Sequence, residues 1–176
     1  MFFPNNSPPN IARFTNLFYG AGDPNAGQNP SVFANAYTNA VPNASSTQQF
    51  VLDGEWDILA MLDNNAGTLT TVGEVFVGGV PLDFSNTGGF DILSMSEGDN
   101  TAYALLTTVT GTGLYNIDLM ADGAGNVNAS FLGAVGPDFG VLDGLAVAPD
   151  PVASVPAPAS LLLLGGAVVG VAAMRR

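Results

Sequence analysis

A mostly β fold is what this sequence predicts: propeller-like repeats of about four short antiparallel strands (a partial or truncated propeller), then one C-terminal transmembrane-type helix. Three observations predict it. Charged residues make up only 10% of 176 residues, far below the roughly 25% of ordinary soluble domains, with Asn, Thr, Ser and Gly in their place. Such a composition suits short strands joined by tight turns better than helices with charged outer faces. Two stretches after residue 50 resemble one another, and the chain closes on a long uncharged run ended by two arginines.

Residues 1–19 have no periodic pattern and are expected to be an irregular N-terminal segment. Pro4, Asn5 and Asn6 interrupt any apolar export signal, and no basic stretch precedes them. A sorting tail requires export, so the start is expected to be truncated or translation to begin upstream of Met1.

Residues 20–149 are expected to form the propeller-like domain. Ile58–Met61, the turn Asp63–Gly67 and Thr68–Gly73 read as strand, turn, strand. Leu114–Asp118, Asp122–Asn126 and Ala129–Gly133 read the same way. Thr101–Leu106 is a further strand, entered through the turn Glu97–Asn100. Asp83-Phe84 before Gly89-Phe90-Asp91-Ile92 recurs as Asp138-Phe139 before Gly144-Leu145-Ala146-Val147. A repeat of about 50 residues with four strands is blade-like. Only about two such units fit between residues 50 and 148, with a fragment before them, and closed propellers need at least about four blades. The expected form is therefore the last part of a larger propeller or an open array whose unpaired edges invite aggregation.

Residues 150–158 read as a Pro-rich linker and 159–176 as an apolar helix with a terminal Arg pair. Ala159 to Met174 carries no charge. As a helix it rises about 24 Å, slightly short of a bilayer core, and snorkelling by Arg175 and Arg176 can make up the difference. Its leucines and valines contribute roughly −2 to −4 kcal/mol to insertion, partly offset by three glycines. The arginines would stay on the cytoplasmic side, with everything before Ala159 outside. An uncleaved anchor and a helix buried in a soluble core are the alternatives.

Val155, Pro156, Ala157 and Pro158, followed by the Leu run and by Arg175 and Arg176, resemble a PEP-CTERM tail, with Ala157 where that motif usually has Glu. The resemblance implies sorting by exosortase, a membrane cysteine transpeptidase of Gram-negative bacteria that make exopolysaccharide. Residues 20–140 resemble domain of unknown function 4394. The matching segments are Gly20–Gly27, Ala36–Asn39, Gly67–Gly73 and Gly113–Asp118. That resemblance implies a propeller-like β fold and no assigned activity, with only the C-terminal part of the domain present.

Composition narrows the chemistry. Fifteen acidic residues face Arg13, Arg175 and Arg176, so nucleic acid and anionic lipid are repelled. The chain has no His, Cys or Lys, which removes Ser-His-Asp triads, thiolate nucleophiles, Schiff bases, and zinc or copper sites built on imidazole or thiolate. Catalytic, cofactor-binding and metal residues are each expected to be none. A carboxylate-pair glycosidase would have to draw its Glu from Glu55, Glu74 and Glu97. Calcium is the one ion to weigh. Asp53, Glu55 and Asp57 alternate like the start of a calcium loop, but Ile58 stands where Gly is needed. Glu97, Asp99 and Asn100, or Asp122 and Asn126, could offer turn oxygens, although Asx-turn capping is the favoured explanation for them. Trp56 reads as core rather than as a sugar-stacking platform.

The functional expectation is an exported, non-enzymatic cell-surface or extracellular-matrix protein. Its partners would be an exosortase-type membrane enzyme and the membrane itself. The alternative is a surface binding module for extracellular polysaccharide, with or without calcium.

Overall fold

The computed structural model describes residues 16–136 and 140–149. They hold ten strands and no helix. The strands are β1 (Phe18–Tyr19), β2 (Val32–Tyr37), β3 (Gln49–Asp53), β4 (Ile58–Asp63), β5 (Thr68–Val77), β6 (Val80–Pro81), β7 (Gly88–Ser96), β8 (Asp99–Thr108), β9 (Gly111–Ile117) and β10 (Asn126–Ala134). Residues 18–19, expected to be irregular, form β1, which pairs in parallel with Thr68 and Leu69 of β5.

Both expected hairpins are present, as β4–β5 and β9–β10. Asp63 caps the first turn by accepting the Asn65 and Ala66 amides on Oδ1, and left-handed Gly67 returns the chain. The repeat corresponds to two four-stranded antiparallel meanders, β2-β3-β4-β5 and β7-β8-β9-β10.

What differs from expectation is how they join. The meanders are not separate blades packed face to face. β5 pairs in parallel with β10, from Glu74↔Asn126 to Val77↔Ala129, giving one continuous sheet ordered β2-β3-β4-β5-β10-β9-β8-β7. That sheet curls until its outermost strands, β2 and β7, lie against each other, a nearly closed barrel. The physical reason is that each meander buries one face, and curling buries both faces against a single core. It also protects the edges that an open array would expose.

The main core fills the barrel. Alternate residues supply it: Phe90 and Ile92 from β7, Ala102, Ala104 and Leu106 from β8, Tyr115 and Ile117 from β9, Val127 and Ala129 from β10. From the first meander come Phe50, Leu52, Leu59 and Val75. Gly78 and Gly79, both left-handed, make the tight turn into β6. The connector after β6 then carries Phe84 into this core, edge-on to Phe33 at 6.1 Å. A second cluster, of Tyr19, Val51, Ile58, Ala60 and Leu69, lies on the other face of β3–β5 and is covered by β1 and partly buried Trp56. Trp56 is thus core-packed, as expected.

The second recurrence is similar in sequence but not in structure. Gly89–Ile92 lies in β7, whereas Gly144–Val147 is not a strand. It crosses β7, and the Val147 amide donates to Asp91 Oδ2 at 2.8 Å. Only glycine fits at position 89, because a Cβ there would stand 2.4 Å from the Leu145 nitrogen. The linker 150–158 and the expected helix 159–176 lie outside the described residues.

Candidate functional site

Of the acidic positions weighed for calcium, Asp53, Asp57, Glu97 and Asp122 accept protein hydrogen bonds. Asp53 is fully buried. Its Oδ2 accepts Tyr19 Oη at 2.5 Å and the Ser31 amide at 3.0 Å, and its Oδ1 accepts the Glu55 amide at 2.9 Å. It ties β1, the entry to β2 and the β3–β4 turn together. Burial, then the bond to Asp53, pushes the Tyr19 phenol upward. Asp57, left-handed at φ 53°, accepts the Phe84 amide at 2.8 Å. Burial is the main cause of its raised pKa, with repulsion from Asp83, Glu74 and Asp53 adding to it.

Glu97 and Asn100 close the β2–β7 seam. Asn39 and Asn100 exchange bonds of 2.7 and 2.9 Å, and Ser94 Oγ donates to Asn100 Oδ1 at 2.7 Å. The Ser45 amide and hydroxyl both donate to Glu97 Oε1, which holds that carboxyl below its usual value. Asp122 accepts the Ala124 and Asn126 amides at 2.8 and 3.0 Å, an Asx turn, and its pKa is lowered by them. Among the described residues no three acidic side chains gather as a metal site would require. Glu55, Glu74 and Glu97 sit on the β3–β4 turn, β5 and the β7–β8 turn respectively. The tail residues Val155, Pro156, Ala157, Pro158, Arg175 and Arg176 lie outside the described residues.

One concavity among the described residues has no counterpart in the sequence pattern. It has a volume of about 570 Å³ and crosses β2–β5, lined by Tyr37, Gln48 and Gln49, Asp63 and Asn64, and Thr68 and Thr70, with partly buried Met61 and Leu62. Strand register gathers these groups: Tyr37 opposes Gln49, Gln49 opposes Leu62, and Asp63 opposes Thr68. A hydrogen-bonded chain fixes the polar side chains. Gln49 Nε2 donates to Asn35 Oδ1 at 3.0 Å, Tyr37 Oη to Gln49 Oε1 at 2.8 Å, and Asn64 Nδ2 to Tyr37 Oη at 2.9 Å. The one available signal was Asn35 and Tyr37 alternating on β2 opposite Gln49, and no local motif marks that pattern.

Below the groove, Asp23 anchors the long N-terminal loop to β5. It accepts the Thr71 amide and hydroxyl, each at 2.7 Å, and the Asn25 amide at 2.9 Å. Burial pushes its carboxyl up, but these bonds outweigh that and hold it below the usual range.

A family model for a domain of unknown function, DUF4394, matches residues 6–138. The chain belongs to this family. The DUF4394 match takes in all ten strands and the groove, and it ends before the segment 140–149 that crosses β7. No curated protein and no solved structure matches the chain.

Proposed function

We propose that this protein is an exported, non-enzymatic cell-surface or extracellular-matrix protein. Its DUF4394 domain is delivered outside the cell by a C-terminal PEP-CTERM-type signal read by an exosortase-like membrane enzyme. The observation that carries this reading is the tail: Val155–Pro158, sixteen uncharged positions from Ala159 to Met174, and Arg175-Arg176. The prolines keep the stretch before the membrane extended, and the arginines hold the C-terminus on the cytoplasmic side. The distribution of charge supports the reading. All 15 acidic residues precede Val155, whereas two of the three arginines, Arg175 and Arg176, follow the apolar run. A strongly acidic domain repels anionic lipid headgroups.

Fractionation of cells expressing the full gene tests the proposal. Wild-type protein is expected in the surface or extracellular fraction, and the double substitution Arg175→Ala/Arg176→Ala is expected to impair sorting. Product confined to the cytosol in the wild type would overturn it.

A further inference from the structure

We propose that the groove across β2–β5 binds an uncharged, hydroxyl-rich glycan without the help of a metal ion. The inference goes beyond surface delivery, since it needs only the folded domain. Its starting point is the kind of group that lines the site. Tyr37, Gln49, Asn64, Asp63, Thr68 and Thr70 present hydroxyls, amides and one carboxylate around a cavity of about 570 Å³, well within the size of small-molecule sites.

Preorganisation comes from the chain Asn35–Gln49–Tyr37–Asn64, whose three hydrogen bonds of 2.8–3.0 Å immobilise the amides and the phenol before any ligand arrives. Rigid groups lose little entropy on binding. Capacity for a ligand remains. Thr68 and Thr70 hydroxyls have no partner among the described residues, and only Oδ1 of Asp63 is used by its turn. The Asn64 carbonyl oxygen and its second amide hydrogen are also unspent. Alternating donors and acceptors are what adjacent sugar hydroxyls require. Tyr37 is 40% exposed, which leaves it able to cover an apolar sugar face.

The ligand's charge follows from what is missing nearby. No Lys or Arg lies among the described residues, so a uronate, sulfate or phosphate would meet Asp63 and an acidic domain with no counter-charge. A calcium bridge could rescue an anionic polymer, but among the described residues no three acidic side chains gather to hold the ion, and Asp63 is the one carboxylate lining the groove. An apolar ligand would find only Met61 and Leu62, both partly buried. An uncharged polyol remains.

Affinity electrophoresis of the purified full chain through gels containing dextran, β-glucan, galactomannan or alginate tests the inference, with and without EDTA. Retardation by at least one neutral polymer, unaffected by EDTA, with free migration through alginate, is the expected result. Tyr37→Ala should weaken it about tenfold, since one polar anchor and its stacking face are lost. Thr70→Val, close in shape and exposed, should weaken it severalfold and carries the test should Tyr37→Ala misfold. Met95→Ser, outside the groove, should bind as wild type. Retardation by no neutral polymer, retardation by alginate alone, loss with EDTA, or undiminished binding by the folded groove variants would each overturn the proposal.

Discussion

Replacing Asp53 with alanine should destabilise the domain more than any other loss of a single acidic residue. Three donors lose their acceptor at once: Tyr19 Oη, the Ser31 amide and the Glu55 amide. Tyr19 is only 3% exposed, so its hydroxyl cannot recover the bond from water. A buried polar group left unpaired costs about 1–3 kcal/mol. The two amides lie nearer solvent and should lose about 1 kcal/mol each. The expected total is about 3–5 kcal/mol, a large share of the ~5–15 kcal/mol that holds most domains folded. Tyr19→Phe, which removes one donor and leaves Asp53 two, should cost about 1–2 kcal/mol. The double variant should fall short of the sum by about 1 kcal/mol or more, because the stranded phenol no longer exists. Urea unfolding followed by tyrosine and tryptophan fluorescence, extrapolated to water, measures all three. A loss below about 1 kcal/mol for Asp53→Ala, or strict additivity in the cycle, would refute the hub argument.

Phe84→Ala should cost about 3–5 kcal/mol in the same assay, because a side chain only 1% exposed would leave a cavity between the two meanders. At Asp57, a raised folded pKa means that stability is fully present below the unfolded value and is lost as pH rises through the folded one. Asp57→Asn keeps an acceptor for the Phe84 amide and tolerates the left-handed backbone, so it should melt at or above wild type near neutral pH and lose that advantage in acid. Asp23 acts in the opposite sense: its depressed pKa contributes stability above the ordinary carboxylate range that is lost as pH falls through the folded value. Asp23→Asn should therefore flatten the acid limb of a plot of melting temperature against pH, and an unchanged limb would count against the clamp. Gly89→Ala should force Leu145 off β7 and expose residues 140–149 to limited proteolysis, whereas Gly123→Ala, with nothing within 4 Å of the added carbon, should leave the digest unchanged.

Local chemistry was legible residue by residue. The β class, the hairpins at Asp63–Gly67 and Asp122–Asn126, and strand β8 all follow from side-chain alternation and from the few residues that cap or enter tight turns. That two similar units exist was legible from the recurring hairpin, but their bounds were not: the first begins at Val32 rather than near residue 50, and Gly144–Val147 is no strand. Absent side chains are just as readable: a sequence without His, Cys or Lys has already excluded most covalent and transition-metal chemistry.

Tertiary structure decided how the two units meet. A parallel pairing such as Glu74↔Asn126 joins strands about 50 residues apart and leaves no periodic trace in either one, so stacked blades and a single curled sheet were equally compatible with the pattern. Close approach was equally invisible. That Gly89 is a seat for Leu145, and that Asp53 serves Tyr19 rather than an ion, depends on partners 56 and 34 positions away. The groove arose the same way, from Tyr37, Gln49, Asn64 and Thr68 brought into register by four strands. A sequence determines which groups are available and how each turn is made; only the packed sheet determines which of those groups share a site, because hydrogen bonds and close contacts act through space and not along the chain.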